Sequence, residues 1–222
     1  MNNNLHQLPW QLSDCVRLET LLFDGNLVEW LPQQLTDLKG LKELSGSRNR
    51  LLSLPQDIDK LVSLESLLLD SNPGLFFLPG NLLRLKHLHT VGLNGCNQRP
   101  SYEDGGNPYP SRGIRFVGSE EHCVLPLLEL SARVVHTDQT LPAYSLPSSL
   151  SDLVKYPTAH CYWCGEALFT CAFLLSAHAE SAAAIVRCTD SWEPVRVCSK
   201  VSMEFVFLTC SLKCSRTVKQ NL

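Results

Sequence analysis

The sequence predicts an α/β architecture: a repeat solenoid with a short parallel sheet and helical or irregular arms, followed by a small helical and cysteine-rich region. Three observations carry that expectation. Leu-Pro pairs recur at Leu8-Pro9, Leu31-Pro32, Leu54-Pro55 and Leu78-Pro79, in steps of 23, 23 and 24 residues, and a fixed period of this length marks a stacked-repeat protein. Behind the repeats lies an apolar stretch with helical spacing, Val124–Tyr156. Two cysteine pairs, Cys161/Cys164 and Cys210/Cys214, stand in the last part of the chain.

Eighteen residues after each of those leucines come Asn26, Asn49, Asn72 and Cys96. Between them runs the pattern L-x-x-L-x-L-x-x-N/C, as in Leu18, Leu21, Phe23 and Asn26 and again in Leu64, Leu67, Leu69 and Asn72. Alternate residues of a strand face the same side, so each repeat contributes a short strand of inward leucines and then a returning arm. The asparagine or cysteine is placed to hydrogen-bond the turn, as a ladder along the stack. Proline suits the start of the arm, where φ is fixed and no strand donor is required. Over residues 3–96 this pattern resembles the leucine-rich repeat family. Gly46 stands where the register wants an inward apolar residue and is expected to be a local packing weakness. Asn3 precedes Leu8 by the same five residues that separate Asn49 from Leu54. The chain thus opens on the turn of a preceding repeat, which suggests a shortened form of a longer repeat protein with one apolar end uncovered.

Strand residues that point away from the core would line a concave face. By register these are Thr20, Glu43, Ser66 and Thr90; Leu22, Ser45, Leu68 and Gly92; and Asp24, Ser47, Asp70 and Asn94. The surface is mixed and mildly acidic. It reads either as a docking face for a protein substrate or as a solvated face, and it carries none of the aromatic anchors that commonly dominate binding energy.

Residues 97–113, NQRPSYEDGGNPYPSRG, are rich in Pro, Gly and polar residues and read as a loop closing the solenoid. Ile114–Val117 forms a short apolar tether, and residues 97–123 together make the linker. Pro126 then opens a helix on which Leu127, Leu128, Ser131, Val134 and Val135 share a face. A second short helix follows Leu146-Pro147 and carries Leu150 and Leu153. Leu127, Ser131 and Val135, each four residues from the last, resemble a BC box, the element by which substrate receptors of cullin-RING ubiquitin ligases bind the Elongin B/C adaptor. The resemblance implies that Leu127 anchors in the adaptor, Ser131 permits close approach, and Val135 completes the stripe, as in helix-in-groove recognition. Leu146, Pro147, Leu150 and Leu153 resemble the cullin-contacting half of a SOCS box, although Ser149 stands where that motif has a second proline. The alternative is a pair of amphipathic helices that only cap the solenoid.

In the region 157–222, Cys161-Tyr-Trp-Cys164-Gly165 reads as a zinc-knuckle-like turn, with Gly165 at the position that needs φ > 0. Cys210 and Cys214 supply a second pair behind the strand-like run Glu204–Leu208. Together the four thiolates are the set a closed tetrahedral structural zinc site requires. Residues 165–209, longer than the gap in common fingers, separate the pairs and contain an Ala-rich stretch, Ser176–Val186, that reads as an insertion. His160 is a reserve ligand, and Cys171, Cys188 and Cys198 read as buried thiols. Reduced free thiols, a redox pair and a catalytic cysteine are the competing readings. The redox reading lacks the βαβ context, and the catalytic one lacks a placed base.

The remaining composition narrows the function classes. A formal net charge of −3 gives no basis for nucleic-acid affinity. No apolar run is long enough to span a membrane. MNNNLHQLPW lacks the regions of a signal peptide, so a cytoplasmic or nuclear location with reduced thiols is expected. No nucleophile, base and orienting group can be assembled, so the expectation is a non-enzymatic interaction protein. The order of repeats, tether, helix pair and cysteine pairs resembles leucine-rich repeat substrate receptors of cullin-RING ligases. The other reading is a leucine-rich repeat scaffold or signalling adaptor.

Overall fold

Leucines spaced two apart build short strands, and repetition stacks them. In the structure, a computed structural model, β1 (Thr20–Leu22), β2 (Glu43–Ser45), β3 (Ser66–Leu68) and β5 (Thr90–Gly92) pair in parallel, with Thr20, Glu43, Ser66 and Thr90 in register. The structure describes residues 3–96, 115–117, 125–137, 147–178, 196–198 and 204–222, and only the backbone for 115–117, 148, 149, 152, 178 and 196–198. Each returning arm is a short 3-10 turn: Trp10–Asp14, Gln33–Asp37, Ile58–Lys60 and Gly80–Arg84. Three of these start behind Pro9, Pro32 and Pro79, whose φ values of −68°, −65° and −64° are what the proline ring imposes.

The inward side chains Leu44, Leu67 and Leu69 are fully buried, as are Leu41, Leu64 and the arm residues Leu35, Leu38, Ile58 and Leu61. Gly46 is not the packing weakness its register suggests. A Cβ built on it would lie 2.3 Å from the Phe23 ring, so the aromatic side chain of one repeat fills the volume the next leaves open.

The corner of each repeat is closed by side chain and backbone together. Gly25, Arg48, Ser71 and Gly95 all take positive φ, from 56° to 73°. The residue that follows each of them bonds two repeats. Asn49 Nδ2 donates to the carbonyls of Phe23 and Gly46, both at 3.1 Å, and its Oδ1 accepts from Val28 N–H. Asn72 Nδ2 donates to Gly46 and Leu69 at 3.0 and 2.7 Å, and its Oδ1 accepts from Leu51 N–H. Cys96 Sγ continues the ladder to the Leu69 carbonyl.

The chain divides into two compact units. The first holds the repeats together with segments from much later in the sequence. β10 (Arg196–Cys198) adds to β5 in parallel as the fifth strand of the repeat sheet, and Glu204–Val206 of β11 (Glu204–Thr209) pairs in parallel with β4 (Phe77–Pro79). The stretch 157–222 is therefore shared between the units. The second unit holds α1 (Leu127–Thr137), α2 (Ser148–Lys155), an antiparallel hairpin of β7 (Ala159–His160) and β8 (Ala167–Leu168), and α3 (Leu212–Asn221). In it β6 (Arg115–Val117) pairs in parallel with the start of β9 (Cys171–His178). The loop 97–113, Ile114, Val124, Leu146, Cys188 and most of the Ala-rich stretch lie outside the described residues. Among the described residues no helix is long and apolar enough to cross a membrane.

Asn72→Ala removes the acceptor of the buried Leu51 N–H and one donor from each of two buried carbonyls. It is expected to lower stability by about 2 kcal/mol, the scale set by orphaned buried groups. Asn94→Ala, at an exposed side chain, should change it by less than about 0.5 kcal/mol. Urea unfolding followed by circular dichroism compares the two; equal midpoints would remove the ladder as a stabilising device.

Candidate metal centre and docking helix

The hairpin loop 161–166 is shaped by its own backbone. Gly165 takes φ +77° and donates its N–H to the Cys161 carbonyl at 3.0 Å, while Cys161 N–H donates to Glu166 at 2.8 Å. Tyr162 N–H donates to the Leu208 carbonyl, and its ring packs edge-on against Phe207 at 4.8 Å. That places the loop beside β11, where Phe205–Thr209 are all buried. The strand ends at Thr209, just before Cys210; Ser211 caps α3 by accepting from Cys214 N–H at 3.2 Å, and Cys214 sits one turn above Cys210.

Four sulfurs converge there. Cys161, Cys164, Cys210 and Cys214 lie within 4.8 Å of one another, with Sγ–Sγ distances of 3.5 Å for 164–210, 3.6 Å for 210–214 and 3.9 Å for 164–214. A tetrahedral ion with sulfur ligands at 2.3 Å has ligand–ligand edges of about 3.8 Å. The set therefore fits a four-thiolate metal site. His160 is not one of the four. The Cys161 thiol is lowered to about 4, first by the bond from Cys210 and then, against the cost of burial, by amides including those of Cys164 and Trp163. Donating to that thiolate pushes Cys210 up, and burial raises Cys164. A divalent cation at the centre of the four sulfurs would supply the positive charge that lets the remaining thiols ionise.

α1 is held by a residue the sequence reading passed over. Glu129 is 0% exposed. Its carboxylate accepts from the Phe169, Thr170 and Cys171 amides, from Thr170 Oγ1, and from Arg133 Nε at 2.8 Å. Burial pushes this carboxyl up, but the Thr170 amide, Arg133, the Phe169 amide and the Thr170 hydroxyl outweigh it and hold it below the ordinary value. Ala132 packs on Ala167 and Phe169, with Leu153 and Val154 of α2 against the same cluster. His136 meets the Phe169 ring edge-on and shares a hydrogen bond with the Val154 carbonyl at 2.8 Å. An acidic residue four positions before an arginine within an apolar helix was the available signal for Glu129.

Residues 129, 132, 133 and 136 thus make the inward face, and the stripe singled out from sequence lies outside. Leu127 is 81% exposed, Val134 62%, Leu128 and Leu130 are also exposed, and Val135 is half-buried. The exposed Ser131 spends its hydroxyl on the Leu127 carbonyl. In α2, whose first turn bonds back to the Pro147 carbonyl, Leu150 is 38% exposed whereas Leu153 faces the core cluster.

On the repeat sheet, Thr20, Leu22, Thr90 and Asn94 are exposed, and Glu43, Ser47, Ser66, Leu68, Asp24 and Asp70 are half-buried. Ser45 and Gly92 are buried. Ser45 Oγ and Ser47 N–H both donate to Asp24 Oδ1 at 2.7 Å, and Asn94 N–H donates to Asp70 Oδ1. Part of the polar surface is thus committed to joining neighbouring repeats.

No family model matches the chain. Among solved structures it is similar to a leucine-rich repeat protein of Leptospira interrogans, at 24% identity over 42% of this chain and 36% of that one, with a TM-score of 0.29. A second similarity is to the leucine-rich repeat domain of the type III effector XopL, at 20% identity over 44% and 43%, with a TM-score of 0.37. The chain spans less than half the length of either. The repeat fold is carried by the register and the ladder described above.

Glu129→Ala leaves three amides and a guanidinium without their acceptor and is expected to destabilise the second unit by about 3–5 kcal/mol. The Glu129 contribution is present in full above the free carboxyl value of 4.5 and is lost as pH falls below it, because the folded value is the lower one. Wild type should therefore lose stability in acid by more than Glu129→Ala does, read as denaturant midpoints at neutral and acidic pH; parallel pH profiles would refute the assignment.

Proposed function

We propose that the protein is a non-enzymatic substrate receptor of a cullin-RING ubiquitin ligase. α1 docks Elongin B/C through Leu127, Leu128, Ser131, Val134 and Val135, and the segment from Leu146 to Leu153 approaches a cullin. The observation that carries this reading is the apolar stripe on α1, whose Leu127, Leu128, Leu130 and Val134 stay in solvent while Glu129 and Ala132 of the same helix are buried. A soluble helix normally turns its apolar side inward, and an exposed apolar patch rimmed by polar residues marks a docking site. The sequential order of repeats, tether, helix pair and cysteine pairs resembles that of leucine-rich repeat-containing proteins 58 and 28, which adds weight to the same role. The repeat face holds a protein substrate, with Thr20, Leu22, Ser66, Leu68 and Thr90 on the surface left to it. Ligation chemistry belongs to the partners, and this chain contributes proximity by raising the effective concentration of substrate.

The four-cysteine centre binds zinc in a structural role. Zinc supplies the cross-link, and the chain supplies the thiolates and the amides that polarise toward them. A cytoplasmic or nuclear setting keeps those thiols reduced.

Because Leu127 is exposed, Leu127→Asp should fold normally and lower Elongin B/C affinity by about 30-fold or more, the effect of losing a central anchor. Pull-down and titration with purified Elongin B/C check this. Absence of binding by the wild type would leave α1 as a scaffold element and overturn the receptor reading. Metal analysis after reduction and gel filtration should return one equivalent of zinc; less than about half an equivalent counts against the site.

A further inference from the structure

The metal centre joins two segments that are remote in sequence, the 159–168 hairpin with Cys161 and Cys164 and the 210–214 corner with Cys210 and Cys214. The inward face of α1 bridges the same two segments. Glu129 accepts from the Phe169, Thr170 and Cys171 amides, directly behind β8 of the hairpin. Arg133, four residues on, holds Glu129 through Nε at 2.8 Å and donates through Nη1 to the carbonyl of Cys210 itself at 3.2 Å. Among the described residues Arg133 Nη2 is buried with no hydrogen-bond partner, so the hydrogen bonds that hold the guanidinium are those two.

We infer that metal at the four cysteines sets the seating of α1 through Arg133, so that metal occupancy controls whether the outward stripe of the helix is presented. The inference rests on the metal reading above and not on the identity of the docking partner. Without the ion, the Tyr162 contacts to Leu208 and Phe207 still join the hairpin to β11, but the Cys210 corner beyond the strand loses its cross-link to Cys161 and Cys164. Arg133 then loses one arm of its fork, and Glu129, which has no solvent to fall back on, loses the geometry of its main counter-charge. Helix rotation cannot repair this, because the next inward positions are Ala132 and His136, which are already packed. Leu127, Ser131 and Val134 lie on the opposite side of the same helix, so an unseated α1 no longer displays them as one stripe.

Two readouts on the full chain test the coupling. Hydrogen exchange across 129–136 should rise about tenfold or more when zinc is removed with a chelator, while the central repeat strand Ser66–Leu68 stays protected as the internal reference. Coupling is reciprocal, so Arg133→Leu should lower zinc affinity about tenfold in competition with a chromogenic chelator, whereas Leu127→Asp, on the outward side, should leave it unchanged. Circular dichroism of the zinc-free Arg133→Leu chain separates a loss of zinc affinity from a loss of fold. The inference fails if α1 exchange is indifferent to zinc, or if Arg133→Leu binds zinc as the wild type does. If the wild type retains no zinc, the metal reading fails together with it. If zinc affinity and α1 exchange are linked but Elongin B/C does not bind, the coupling stands and only the choice of partner falls.

Discussion

A carboxylate with no access to water has to be given everything water would have provided. Glu129 receives three backbone amides, a hydroxyl and a guanidinium, and the second unit is arranged around meeting that demand. The amides come from consecutive residues 169–171, so the chain behind β8 must curl around the carboxylate before β9 begins. Arg133 must sit one turn along the helix, which fixes the rotation of α1 about its own axis. At about 100° per residue, positions 129, 132, 133 and 136 then face inward together. Everything apolar at 127, 128, 130 and 134 is left facing out. Part of the inward face of this amphipathic helix is taken by one ionised group, which once buried holds its place because removing a partner of a buried pair is costly.

The repeat unit solves the same problem with neutral groups. Its arms are single 3-10 turns, too short to satisfy their own backbone, and its corners turn through left-handed residues at 25, 48, 71 and 95. Asn26, Asn49 and Asn72 supply the missing partners, each bonding its own corner and also reaching the turn before. The ladder makes neighbouring repeats interdependent, and so does the exchange of volume between Phe23 and Gly46. Asp24 and Asp70 bind forward to the next repeat as well. What the strands present outward is consequently less free than a count of polar residues implies.

The parts of this protein that read directly from sequence are those in which a residue acts through its spacing. The Leu-Pro period, the asparagine positions and the two cysteine pairs are of this kind, and Gly165 and the prolines of the arms take the backbone angles their types require. The parts that did not read are those in which residues far apart in sequence exchange roles. Glu129 finds its acceptor role some forty residues later. Phe23 fills a space one repeat away. Ser45 gives its hydroxyl to Asp24 and so leaves the concave face. Arg196–Cys198 joins a sheet that began at residue 20, because a parallel strand edge accepts any extended segment that reaches it. Leu153 carries the helical spacing of a contact residue, yet packs inward, since spacing defines a stripe without saying which side is covered.

The same distance in sequence explains why thiolates suit the second unit. Its hydrophobic cluster around α1 is small, with Ala132, Ala167 and Phe169 at the centre and Leu153 and Val154 beside them, and small cores gain most from a cross-link. Cys161 and Cys164 sit on a tight hairpin, whereas Cys210 and Cys214 arrive only after the chain has passed through the first unit, where Arg196–Cys198 joins the repeat sheet and Glu204–Val206 pairs with β4. Closing a loop of that length by packing alone costs chain entropy that a handful of side chains must offset. Four sulfurs within 4.8 Å of one another concentrate the closure at one point, and Arg133 of α1 donates to the Cys210 carbonyl beside it. The helix that carries the exposed leucines is therefore held in part by a contact 77 residues away in sequence, next to the four clustered sulfurs.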